Sequence, residues 1–182
     1  MALAGLLAVS SIASAQSVTV GYAVKSLDNN AGQTHLTSLS VKNKLFGNVS
    51  GDLGLSADKN DATNALVNRY EVGGTYNQPL FGTVSGDFRL ATGWKAKSGS
   101  EVTSYYVIEP SVTAKIPSTA ASVKVGYRWR NAWASDVADN STTTRLAVAY
   151  DITAKDKISL GRDWLRGDGA NTQTTLQYTR AF

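Results

Sequence analysis

From Ser17 onward, apolar and polar residues alternate with a period of two. Val18, Val20, Tyr22 and Val24 interleave with Thr19, Gly21 and Ala23, and Val123, Val125, Tyr127 and Trp129 with Lys124, Gly126 and Arg128. Leu146, Val148, Tyr150 and Ile152 interleave in the same way with Arg145, Ala147, Ala149 and Asp151. This period places one apolar row on one face of a strand, and almost no stretch shows the spacing of an amphipathic helix. The pattern predicts an all-β chain of about ten strands, at 17–27, 34–46, 49–58, 65–79, 83–97, 102–116, 121–134, 142–154, 157–166 and 171–182, with twelve or eight strands as alternatives.

The connections fall into two kinds. Short ones sit around Gly47-Asn48, Gly82-Thr83, Pro117 to Ala120 and Lys155-Asp156. Longer polar ones span Asp28 to Gln33, Lys59 to Asn64, Lys97 to Glu101, Ser135 to Ser141 and Gly167 to Ala170. The kinds alternate strictly, as expected of an up-and-down antiparallel barrel with both termini on the short-turn rim. An internal echo supports a repeating hairpin: Leu45-Phe46-Gly47-Asn48-Val49-Ser50-Gly51-Asp52 recurs 35 positions later as Leu80 to Asp87, differing only where Thr83 replaces Asn48.

Composition narrows the environment. The 182 residues are 42% hydrophobic and 18% charged, with no cysteine and one histidine. Disulfides, thiolate metal sites and thiol nucleophiles are excluded, and a His-ligated metal centre is not expected. No cofactor is implied. The net charge of +4 is spread along the chain, which argues against a nucleic-acid-binding arm. After the first dozen residues, no apolar run approaches the ~18–20 residues of a membrane-spanning helix. Met1 to Ala15 has an apolar stretch closed by Ala13-Ser14-Ala15, the pattern of a cleavable signal peptide cut before Gln16, although no Lys or Arg precedes it. The expected organisation is a leader at 1–15 and a barrel at 16–182.

Alternation alone does not say which face of a barrel is apolar. Two features favour an apolar exterior. The polar phase mixes bulky charges with glycine, alanine and serine, and the apolar phase carries aromatics near strand ends: Phe46, Phe81, Trp94, Tyr106, Trp129, Trp133, Trp164 and Phe182. Aromatic girdles at two membrane interfaces have this distribution.

The leader, the alternating connections and the closing Leu176-Gln177-Tyr178-Thr179-Arg180-Ala181-Phe182 resemble a Gram-negative outer-membrane β-barrel. The resemblance implies a bacterial outer-membrane location among lipid and lipopolysaccharide. It also implies that Phe182, with Tyr178 and Leu176 on the same face, serves as the signal read by the barrel-assembly machinery. Arg180 stands on that face where an apolar residue is more usual. Tyr105 to Pro110 and Val125-Gly126-Tyr127-Arg128-Trp129-Arg130 are similar to segments of small porins of the oligogalacturonate-specific, KdgM-like type.

An apolar exterior assigns the opposite phase to the lumen. That phase holds Lys25, Lys42, Arg69, Arg89, Lys95, Lys115, Lys124, Arg128, Arg130 and Arg145, against Asp52, Glu71, Asp87, Glu109, Asp151 and Asp163. A wall with an excess of positive charge concentrates anions, and guanidinium forks suit carboxylates and phosphates. The expectation is a passive diffusion channel, not an enzyme, leaning toward small anionic solutes such as acidic oligosaccharides. The pore-lining candidates are Arg69, Arg89, Lys124, Arg128, Arg130 and Arg145, with Asp87 and Glu109. Arg128, Arg130 and Arg145 are the expected uncompensated charges.

The competing reading is a narrow barrel plugged by its own ion pairs, a structural or binding protein (adhesin or receptor) acting through its loops. Weaker constellations carry less. His35, in the first long connection, could serve an enzyme, but a lone histidine in a polar loop more often serves none. Asp58, Asp61, Asp136 and Asp139 match no defined calcium loop. Arg166-Gly167-Asp168 spells an adhesion tripeptide that a turn explains equally well. Arg162 fits poorly, because its phase places it in lipid unless a bulge or the interface rescues it.

Overall fold

A computed structural model describes residues 16–27, 33–134, 140–167 and 171–182. The leader at 1–15 and the loop residues Asp28, Asp136, Asp139 and Asp168 lie outside the described residues. Ten strands are present: β1 Ser17–Leu27, β2 Gln33–Phe46, β3 Val49–Asn60, β4 Leu66–Phe81, β5 Val84–Lys97, β6 Thr103–Lys115, β7 Ala121–Ala132, β8 Ser141–Asp151, β9 Asp156–Gly167 and β10 Asn171–Ala181. Each pairs antiparallel with its chain neighbours, and β10 pairs with β1 to close the barrel. No helix occurs among the described residues.

The register shows that the strands are tilted. Ser17, at the turn end of β1, pairs with Lys42. The same row continues through Asp52, Gly73, Ala91, Val107 and Arg130 to Ser141, at the loop end of β8. Such an inclined row is the stagger that closing a sheet requires.

The echoed octapeptide proves to be a repeated structure. Gly47 and Gly82 open the two turns with φ of +48° and +52°, a region that favours glycine. In both hairpins the register slips by one residue, between Lys44 and Phe46 and between Pro79 and Phe81. The bulged residues are Leu45 and Leu80. A Cβ added at Gly51 would lie 3.3 Å from Leu45, and one at Gly86 3.5 Å from Leu80, so each second glycine seats its bulged leucine. The motif therefore conserves a turn, a bulge and its seat, and it ends on an acid pointing inward.

Two sequence expectations need correction. The turn placed at Lys155-Asp156 lies at 152–155, because Thr153 organises it: its hydroxyl donates to Asp156 at 2.6 Å and accepts the N–H groups of Lys155 and Asp156. Asp58, the last residue of the predicted strand and also weighed with the loop acids, lies within β3, which runs two residues further than predicted. Its carboxylate is turned inward and is 5% exposed.

The faces sort as the aromatic distribution predicts. Outside stand large apolar residues such as Val20, Leu53, Leu90, Val125, Val148, Leu160 and Leu176, each more than a third exposed. Phe46, Phe81 and Phe182 lie at the turn rim, and Trp94, Trp129, Trp133 and Trp164 toward the loop rim. The buried side chains are instead largely polar, among them Lys25, Thr34, Asp58, Ser111, Thr143, Asp163 and Gln173. A largely apolar outer wall around a polar interior is the inverted order of a barrel whose outer solvent is lipid, with the backbone paired in a closed sheet.

Candidate functional site: the lumen

The interior holds a cavity of about 640 Å³ lined by residues from all ten strands, from Lys42, Asp87 and Lys124 near the turn end to Thr34, Asn60 and Asn171 near the loop end. All six basic candidates face it, as do Asp87 and Glu109. Its charges divide into three tiers along the axis.

The middle tier is an ion-pair network reaching from β3 to β9. Arg89 donates to both oxygens of Asp52 (2.6–3.1 Å) and to Glu71 Oε2 (3.1 Å). Arg128 bridges Glu71 and Glu109, the latter at 3.3 Å. Arg145 donates to Glu109 at 3.2 Å and grips Asp163 with a two-pronged contact at 2.8 and 3.0 Å. Three cations meet four acids here. The Tyr105 hydroxyl donates to Glu71 at 3.0 Å, and its ring lies over Gly93, where a Cβ would come within 2.7 Å of the ring. Gly93 therefore makes room for a fully buried tyrosine that braces the network.

At the loop end, Lys25, Arg69, Lys95 and Arg130 all stand within three residues of the ends of their strands, with the buried Asp58 beside Lys25 and Arg69. Asp58 Oδ2 accepts from Lys25 and, at 2.6 Å, from Arg69. Arg130 sits over the Tyr105 ring at 5.4 Å. Asp58 Oδ1 and Arg69 Nε are buried with no hydrogen-bond partner. At the turn end, Lys124 reaches Asp87 at 3.4 Å, and Asn77 donates to the same carboxylate at 2.7 Å. The echo reappears here: Arg89 meets Asp52 and Lys124 meets Asp87 across the same separation of 37 residues.

The expectation that Arg128 and Arg145 are uncompensated is corrected. Arg128 and Arg145 each pair with two carboxylates, because tilt brings Glu71, Glu109 and Asp163 from different strands to one level. Linear sequence shows which face a residue takes but not its axial level. Asp151 lies at the turn rim, exposed and 3.3 Å from Lys157, rather than in the charged interior. Asp58 and Tyr105 were missed as lumen residues. The inward phase of β6, which Tyr105 shares with Val107 and Glu109, was the signal that could have found it.

His35 faces outward. It stacks on Tyr22 with ring centroids 5.9 Å apart, and its Nε2 lies 2.8 Å from Asp61. Arg162 is also on the outer wall, and no bulge accounts for it, since β9 pairs with β8 and β10 without a register shift.

No protein-family model matches the chain, and no curated protein matches it in sequence. Solved structures do match in shape. The NanC porin superposes with a TM-score of 0.63 at 12% identity, covering 91% of this chain and 100% of that one. The beta domain of the Bordetella autotransporter BrkA gives 0.60 at 13% identity, covering 92% and 99%. The KdgM porin gives 0.52 at 8% identity, covering 90% and 99%. The fold is that of the small outer-membrane porins. In this small-porin fold, the lumen wall of β10, β1 and β2 carries short neutral side chains, including Thr19, Gly21, Ala23, Ser38, Ser40 and Thr175, opposite the charged network.

Proposed function

We propose that the protein is a passive diffusion channel of a bacterial outer membrane, leaning toward small anionic solutes such as acidic oligosaccharides. The observation that carries this reading lies at the loop end, where Lys25 and Arg69 share the carboxylate of Asp58. Low-dielectric walls focus such an excess and raise the anion concentration at the mouth. The middle tier, three cations against four acids, adds no anion preference, so selection belongs to the mouth rather than the waist. The reading keeps Phe182, whose N–H donates to Gln16 O at 3.1 Å where β10 closes on β1, as its candidate assembly signal.

The deciding experiment is single-channel conductance of the refolded barrel in a planar bilayer under a salt gradient. Discrete openings with an anion-directed reversal potential are expected. Arg69→Gln with Arg130→Gln should move that potential toward zero more than Arg128→Ala does. A folded barrel that never conducts would overturn the channel. It would favour a second reading, a closed barrel acting through its loops, whose support is the network spanning β3 to β9.

A further inference from the structure

The outer wall is not uniformly apolar. On the turn-side half of β8, β9 and β10 stand Leu146, Val148, Tyr150, Ile158, Leu160, Leu176 and Tyr178, all exposed. On the loop-side half, the same outward phase reads Thr142 and Thr144 on β8, Arg162, Trp164 and Arg166 on β9, and Thr172 and Thr174 on β10. Register places Thr144 and Thr172 on either side of Trp164, and Thr174 beside Arg162. Arg162 Nη1 donates to Thr174 Oγ1 at 2.6 Å. On β4 to β7, by contrast, Tyr70, Trp94, Tyr106 and Trp129 carry the aromatic face to within four residues of the loop ends. The apolar belt is therefore notched on one side.

No carboxylate among the described residues pairs with Arg162 or Arg166. Asp163, between them in sequence, points into the lumen and is held by Arg145. The comparison within the same wall is Arg180, the outward arginine at the turn end, which is paired with Asp156 at 3.1 Å. Two cations flanked by hydroxyls, with no acid facing them, form a surface of positive charge and hydrogen-bond donors. Arg162 lies five residues from the end of β9, about 13 Å below the loop rim for a strand rising ~3.3 Å per residue at ~40° tilt. A bare guanidinium on a lipid-facing wall is costly, by about 2–4 kcal/mol at mid-bilayer and less toward the interface, so a counter-charge is favoured here.

We infer that this face docks a phosphorylated lipid headgroup of the leaflet surrounding the loop rim, with Arg162 and Arg166 gripping the phosphate and the threonines donating to it. Charge complementarity selects the occupant: guanidinium forks match phosphate oxygens, and hydroxyls complete the cradle. The inference rests on the membrane placement of the barrel and is independent of whether the lumen conducts.

The test uses the full refolded chain in detergent with two glucosamine-based glycolipids, one carrying phosphates and one dephosphorylated, and counts retained lipid by native mass spectrometry. Wild type should retain the phosphorylated lipid over the other, and Arg162→Gln with Arg166→Gln should lower retention roughly tenfold or more, as expected for losing charge-assisted contacts. Arg180→Gln should leave retention unchanged. Folding is read independently from the heat-dependent gel mobility of the barrel. Equal retention of the two lipids by wild type, which needs no variant, would overturn the inference. So would competition by millimolar inorganic phosphate, indicating a free-anion site, or a wild-type dimer that Arg162→Gln dissolves, indicating a second copy as the occupant. A loss of conductance with lipid preference intact would sink the channel and leave this site standing.

Discussion

Two arcs of the lumen face one another with different chemistry. From β3 to β9, long charged side chains cross the interior and lock together through Asp52, Glu71, Arg89, Glu109, Arg128, Arg145 and Asp163. From β10 through β1 to β2, the wall between Lys25 and Lys42 is made of threonine, serine, glycine, alanine and glutamine, joined by few contacts, such as Thr19 with Thr179 at 2.8 Å. The first arc spends its length on holding the barrel in shape. The second keeps its side chains short and leaves space beside them. A narrow barrel can thus carry a dense ion-pair network and still retain a lumen, because stiffness and permeability are assigned to different strands.

The largest expected effect tests the stiff arc. Glu71 accepts from Arg89, Arg128 and Tyr105, so Glu71→Ala takes one carboxylate from two cations and leaves a buried hydroxyl without its acceptor. Removing one partner of a buried pair costs about 3–5 kcal/mol, and in this partly wet lumen about 3 kcal/mol is expected from denaturant unfolding of the refolded barrel. Gln173→Ala on the other arc should cost under ~1 kcal/mol in the same assay. Equal losses would break the comparison.

The next test is steric. At Gly93 an added Cβ would sit 2.6 Å from the Tyr70 carbonyl and 2.7 Å from the Tyr105 ring, so Gly93→Ala should destabilise by about 1–3 kcal/mol through overpacking. At Gly161 the nearest contact would be an ordinary 3.6 Å, and Gly161→Ala should leave the unfolding midpoint nearly unchanged.

Function then sharpens the contrast. Ser40→Phe, on the open arc, should cut unitary conductance severalfold while leaving stability near wild type. A variant that conducts normally would show that solute does not follow this wall. Smaller still is the selectivity change in Arg69→Gln, read as a modest shift of reversal potential that shrinks as salt screens the mouth.

Much of this was legible beforehand, for identifiable reasons. Period-two alternation located every strand, because residues on opposite faces of a pleated strand meet different solvents. Aromatic positions such as Trp94, Trp129 and Phe182 marked the outer wall and its two rims. The echo announced a hairpin, and its two glycines turned out to be a turn and a seat for a leucine. Illegible were the partnerships. Arg128 and Arg145 read as free charges because their acids lie 19, 36 and 57 positions away in sequence for the contacts with Glu109 and Glu71. Asp58 reads equally as a strand end or a loop acid because a polar strand end and a polar loop have the same composition.

The outer wall repeats the lesson. Arg162 and Arg180 look alike in sequence, each a basic residue in an apolar row. Asp156 pairs with Arg180, while among the described residues Arg162 is met by Thr174 and by no carboxylate. Alternation determined the strands and the two faces of each, and the aromatic positions added the apolar exterior, since these follow from local pleating and the solvent on each side. Only closure of the sheet decided which inward charges share a level and which outward arginine has a counter-ion. Those outcomes depend on tilt and register around the whole barrel, a property of ten strands together that no single strand encodes.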